Sequence, residues 1–118
     1  MDSPNSILLY ISCRDLVDLD VVGKSDPFAV LFIKCEKETD WSYLGKTEVC
    51  WNNLNPDFLK NFKVNYYFEK NLFVRIEIYD HDDDGEDDLI GFYEQPLNKL
   101  LTANKQTVKA SLQLSEDD

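Results

Sequence analysis

Histidine, basic charge and long apolar runs are what this 118-residue chain has least of. The one histidine, His81, stands near Ser25 and several aspartates, the ingredients of a hydrolytic triad, but no serine lies in a nucleophile-elbow pattern. The chain therefore reads as non-enzymatic. Twelve Lys and Arg face 23 Asp and Glu, for a net charge of −11. A phosphate-backbone partner needs a positive footprint, so no nucleic acid is expected. Cysteine is sparse as well: Cys13, Cys35 and Cys50 cannot all pair with one another and show no Cys-x-x-Cys spacing, which excludes the usual zinc and thiol-exchange motifs. They read as small apolar residues in a reducing compartment. No apolar run approaches the ~18 residues of a membrane span, and no basic stretch followed by an apolar segment opens the chain. A soluble, cytoplasmic protein is the expectation.

What is present suffices for one core. A hydrophobic content of 43%, with 13% aromatics, suits a single domain of this length; we place it at residues 1–114, with an acidic tail at 115–118. Period-two alternation dominates and helical periodicity is scarce. Ile7, Leu9, Ile11 and Cys13 alternate with Leu8, Tyr10 and Ser12, and Leu72, Val74, Ile76 and Ile78 with Phe73, Arg75, Glu77 and Tyr79. Five further strands are predicted over 28–34, 43–50, 61–68, 89–95 and 107–114, with a helical turn at 97–103. Gly23 and Asn55-Pro56 punctuate turns. Seven short strands with turns between them predict an all-β antiparallel sandwich.

The acidic charge is concentrated in two places. Residues 15–26 hold four acids and one lysine, residues 80–88 hold seven acids, and together they carry −10 of the net charge. Each group lies between two predicted strands, so both loops can face each other from one end of a sandwich. Calcium takes about 6–8 oxygen ligands and favours carboxylates and carbonyls. Aspartates converging from two loops make either a hard-cation site or a strong mutual repulsion. A competing motif overlaps the second group, because Asp80, Asp82, Asp84 and Gly85 match the start of an EF-hand loop. It fails further on: Gly91 stands where a bidentate glutamate is required, Asp87 where an apolar residue is, and a strand precedes it where a helix should.

Three stretches together carry a resemblance: Asp20-Val21-Val22-Gly23-Lys24-Ser25-Asp26-Pro27-Phe28, Leu54-Asn55-Pro56-Asp57-Phe58, and Tyr79-Asp80-His81-Asp82 through Asp88-Leu89-Ile90-Gly91. From end to end the chain resembles a C2 domain. Ser25-Asp26-Pro27-Phe28, Gly45-Lys46-Thr47-Glu48 and Tyr66-Tyr67-Phe68-Glu69 look most like the first C2 domain of copines. The resemblance implies a Greek-key sandwich of eight strands in the permuted, type II order. It also implies calcium (Ca2+) held by Asp20, Asp26, Asp80, Asp82 and Asp88, helped by the carbonyls of Leu19 and His81. Two departures stand out. The sequence shows seven strands and passes from Leu114 into its acidic tail, so the expectation is either that the eighth lies in a longer protein or that a sheet edge stays open. The third-loop tip, where membrane-inserting relatives carry basic or bulky apolar residues, is Asp83-Asp84-Gly85-Glu86, which argues against deep insertion there.

The mechanism implied follows from counting oxygens. Five carboxylates supply at most ten, whereas two calcium ions want roughly twelve to sixteen. Carbonyls, water and a lipid phosphate must fill the remainder, which makes an anionic phospholipid headgroup a ligand. Val21 and Val22, at the tip of the first loop, are the expected membrane contacts. The expected function is thus calcium-dependent recruitment of a cytoplasmic protein to phospholipid membrane; the alternative is a protein-interaction adaptor whose calcium is structural or absent. Residues 34–46 lack the dense basic strand that some relatives use for phosphoinositides. Tyr66-Tyr67-Phe68 reads as core and edge packing. Trp51, beside the Asn52-Asn53 turn, fits either core packing or a membrane interface.

Overall fold

The computed structural model describes residues 5–17, 24–66 and 70–114. Six strands run β1 (Asn5–Ser12), β2 (Pro27–Cys35), β3 (Ser42–Lys46), β4 (Asp57–Tyr66), β5 (Leu72–Asp80) and β6 (Asp88–Pro96). They form two antiparallel sheets: β1 pairs with β4, and the other sheet has the order β3-β2-β5-β6. The alternation read from the sequence is the alternation of burial. Leu9 of β1 and Phe58, Phe62 and Val64 of β4 meet Ala29 and Leu31 of β2, Val74 and Ile78 of β5, and Ile90 of β6 in one core between the sheets. Each fully buried aliphatic side chain of this kind contributes about 1.5–3 kcal/mol.

The opposite face of the larger sheet is held by charge and aromatics. Arg75 is buried, with its guanidinium 4.1 Å above the Phe92 ring and paired with Glu77 at 2.7 Å and with Glu94. Tyr79 stacks on Phe28 with centroids 5.6 Å apart and donates its hydroxyl to Glu77 at 2.7 Å. Burial first, then that hydrogen bond to a carboxylate, push the Tyr79 phenol up to about 12.

Where the strands differ from expectation, local chemistry gives the reason. β3 ends at Lys46 and not at Cys50, because at Thr47 one of the two backbone bonds of the ladder is replaced: Thr47 N–H donates to the Ala29 carbonyl at 2.8 Å, but the Ala29 N–H donates to Thr47 Oγ1 at 2.8 Å. β4 begins at Asp57, before the expected 61, and shifts register against β1 between Tyr10 and Ser12. Such a shift leaves backbone donors unpaired. Glu48 takes up two of them, accepting Leu59 N–H at 2.6 Å and Lys60 N–H at 3.2 Å. Desolvation acts to raise the Glu48 pKa, but three backbone N–H donors, from Leu59, Lys60 and Glu48 itself, carry it below its ordinary value.

The seventh expected strand, 107–114, is a correction. Among the described residues it contributes one isolated bridge, Gln113 to Phe92, with both N–H···O bonds at 2.8 Å. Had the segment been a strand, Val108, Ala110, Leu112 and Leu114 would share a face. Val108 and Leu112 are half-buried, whereas Ala110 and Leu114 are exposed, so the segment has too short an apolar face for a ladder. The expected helical turn is α1 (Leu97–Thr102), anchored by fully buried Leu97. No strand covers the outer edge of β1 among the described residues, and none of their helices is long and apolar enough to cross a membrane.

Candidate metal centre

One end of the larger sheet gathers the acidic residues. The β2–β5 ladder begins with the pair Pro27↔Asp80, and the β5–β6 ladder ends with Asp80↔Asp88. Pro27 has no N–H and tolerates the first position of a strand. Just beyond it, Asp26 and His81 extend the ladder: His81 N–H donates to the Asp26 carbonyl at 2.9 Å. Asp26 N–H in turn donates to Oδ1 of Asp80 at 2.8 Å. Three of the five expected carboxylates therefore stand on adjacent chain segments.

Their environments differ. Asp80 is only 2% exposed, while Asp88 is exposed. Like charges directly opposite across strands destabilise a sheet, and none of the ion pairs among the described residues involves Asp26, Asp80, Asp82 or Asp88. Asp82 is drawn into its own turn: its Oδ1 accepts Asp84 N–H at 2.9 Å, and its N–H donates to Asp87 Oδ1 at 2.9 Å. A Cβ at Gly85 would lie 3.2 Å from Asp82 Oδ2, so the small residue lets this turn close. Asp20, Leu19, Val21 and Val22 fall outside the described residues. Among the described residues no three acidic, histidine or cysteine side chains converge in a metal-holding group.

Sequence reasoning missed two features. The β3–β4 connection is fastened to the site: Asn52 N–H donates to Asp26 Oδ1 at 2.7 Å, Asn53 N–H to the Ser25 carbonyl at 3.0 Å, and Lys24 N–H to Asn52 Oδ1 at 3.2 Å. Asn52 adopts φ 51°, a left-handed conformation that asparagine tolerates better than most residues. The Asn52-Asn53 pair was the available signal. The other is His81, whose ring lies between two third-loop acids, Nε2 at 2.7 Å from Asp83 Oδ1 and Nδ1 at 3.0 Å from Asp87 Oδ1. The hydrogen bond to Asp83, then that to Asp87, raises the His81 pKa above its ordinary value.

The donor set suits a hard cation. Asp26, Asp80, Asp82 and Asp88 offer only oxygen, which matches calcium better than any thiophilic metal. Asp80 is buried, and its Oδ1 accepts the Asp26 N–H; a carboxylate taken out of water is costly without such partners or a counter-charge.

Comparison with known proteins gives the frame for this site. Nicotinic receptor-associated protein 1 of Caenorhabditis elegans is 36% identical over 128 residues, covering 91% of this chain and 20% of that protein. Copine-D of Dictyostelium discoideum is 32% identical over 115 residues, covering 92% of this chain and 22% of that protein. The chain thus spans about a fifth of these relatives. Among solved structures, BON1-C2B superposes with a TM-score of 0.67 at 32% identity, over 84% of this chain and 69% of that one. A C2 domain of plant Extended Synaptotagmin 1 does so at 0.64 and 22% identity, over 84% and 73%, and shows the same fold. The C2 domain family profile matches residues 7–114, and with the sandwich and its acidic end this establishes that the chain belongs to the C2 domain family.

Proposed function

We propose that this domain is a calcium-dependent phospholipid-binding module of a cytoplasmic copine-like protein, without catalytic activity of its own. The observation that carries the reading is Asp80: a carboxylate 2% exposed, opposite Asp88 in the ladder, with no ion-pair partner among the described residues. Asp26, Asp80, Asp82 and Asp88, together with Asp20 and the carbonyls of Leu19 and His81, would hold the metal. Calcium would supply positive charge and open coordination positions for a headgroup phosphate.

The protein's own contribution is to fix the donors. Asp80 Oδ1 joins the first and third loops through Asp26 N–H, and Asp26 Oδ1 holds the Asn52 turn. The loops carry about −10, and two divalent ions would still leave about −6. Long-range attraction to an anionic leaflet, which favours basic segments, therefore cannot drive docking. Coordination of phosphate and apolar contact must, and Val21 and Val22 are the side chains proposed for that contact, each worth about 1–2 kcal/mol.

Co-sedimentation with phosphatidylserine liposomes, with calcium and with chelator, tests the reading. Binding only with calcium supports it. Absence of binding at saturating calcium discards it in favour of a protein-interaction adaptor.

A further inference from the structure

We propose that Asn52 is a positioning residue of the cation site: it holds no metal itself, and it sets the affinity of the site by fixing the carboxylate of Asp26 from the β3–β4 connection. The proposal rests on the calcium reading above and names a residue outside the ligand set.

The first acidic loop stands on that connection at both ends. At its entry, Asp15 N–H donates to Asn55 Oδ1 at 2.8 Å and Leu16 N–H to the Leu54 carbonyl at 3.0 Å. At its exit, consecutive residues are clasped by the turn: Lys24 N–H donates to Asn52 Oδ1, Asn53 N–H to the Ser25 carbonyl, and Asn52 N–H to Asp26 Oδ1. Only the last of these bonds reaches a side chain of the proposed ligand set. At 2.7 Å it is a hydrogen bond to a carboxylate, shorter and stronger than one between neutral partners. Asp26 passes the constraint on, because its own N–H holds Oδ1 of Asp80. Two carboxylates are thus oriented in series from one turn.

The chemistry of residue 52 follows from what the turn demands. Its φ of 51° lies in the left-handed region, which glycine and asparagine adopt at low cost. Its side chain must also offer an oxygen to Lys24 N–H, which glycine lacks, and a carboxylate there would set a like charge against Asp26. Asparagine meets each demand. Core packing does not hold the turn in place of these bonds at the preceding residue, since Trp51 is 59% exposed and meets His81 by a ring edge, 5.7 Å between centroids. Hydrogen-bond partners that orient a metal ligand are worth about 10–100-fold in metal affinity. Asn52 stands in that relation to Asp26.

The test measures calcium binding by calorimetry, without lipid. Asn52→Ala removes the oxygen and disfavours the left-handed backbone, and should weaken calcium binding by about tenfold. Asn52→Gly keeps that backbone and the N–H toward Asp26 and should recover most of the loss. In chelator, amide exchange at Lys24, whose acceptor is gone in both variants, should accelerate. Val64→Ala, a core truncation near the far end of β4, is the control: it should lower the melting temperature and leave calcium affinity as in the parent. If the parent binds calcium and Asn52→Ala binds it equally well, or if Asn52→Ala and Val64→Ala weaken binding alike, the assignment of Asn52 is overturned and the calcium reading stands. If the parent itself binds no calcium, both fall.

Discussion

Asp26 and Asp80, 54 positions apart in the chain, are joined by a 2.8 Å hydrogen bond from the Asp26 N–H to the Asp80 carboxylate. The two acidic groups of the sequence therefore meet at these two residues. One carboxylate serves both as the brace between the loops and as a proposed metal ligand.

Calcium should raise the melting temperature. A ligand at a hundred times its dissociation constant stabilises by about 2.7 kcal/mol, or about 10 °C for a domain of this size. Asp80→Asn with Asp82→Asn keeps an oxygen for the Asp26 N–H, removes repulsion, and should abolish most of the gain while slightly raising metal-free stability. Calorimetric scans in chelator and in millimolar calcium decide it. An unmoved parent melting temperature rejects calcium, and undiminished calcium binding by the double variant rejects these ligands.

Glu48 should matter to stability although it is exposed. Glu48→Ala leaves Leu59 N–H and Lys60 N–H without their acceptor and should cost about 1 kcal/mol after allowing for solvent screening. Its folded-state pKa is lowered, so its contribution is present above the unfolded value and lost as pH falls through the folded one. Urea melts at neutral pH should separate parent from variant, and the difference should shrink in acid, below about pH 4.

A methyl group at Gly91 has no room. It would sit 2.8 Å from the Gln113 carbonyl oxygen and 2.8 Å from Leu112 Cβ. Gly91→Ala should therefore cost about 1–3 kcal/mol and release the 112–113 segment from β6. Hydrogen exchange at the Gln113 amide, which donates to Phe92 O, should accelerate more than exchange in β2. Equal protection in both proteins would show that the segment yields without losing its bridge.

The first-loop valines separate insertion from charge. If phosphate coordination with shallow insertion drives docking, Val21→Ser with Val22→Ser should keep calcium affinity without lipid and lose vesicle binding by about tenfold or more. If charge alone drives it, the variant should bind as the parent does and moderate salt should release both, because screening acts over about 8 Å at physiological ionic strength. Co-sedimentation across a salt series distinguishes the two.

β1, β2, β5 and β6 were legible in the sequence because side chains alternate across a sheet, so the apolar positions of a strand name its buried face. The family was legible because its aspartates stand at fixed places around those strands. The same alternation over-reached at 107–114, where it names a face that residues 110 and 114 do not bury. Contacts between segments distant in sequence leave no periodic trace. No spacing could show that the β4 register shift leaves donors for Glu48, that Asp80 lies buried opposite Asp88 while bracing Asp26, or that the Asn52 turn is tied to that same Asp26 with Trp51 beside it. Residue types and their period determined the sheets and the chemistry of the loops. Strand register and loop-to-loop hydrogen bonds, which depend on how the sheets pair and pack, decided which loop each carboxylate braces and which aromatic stands exposed beside them.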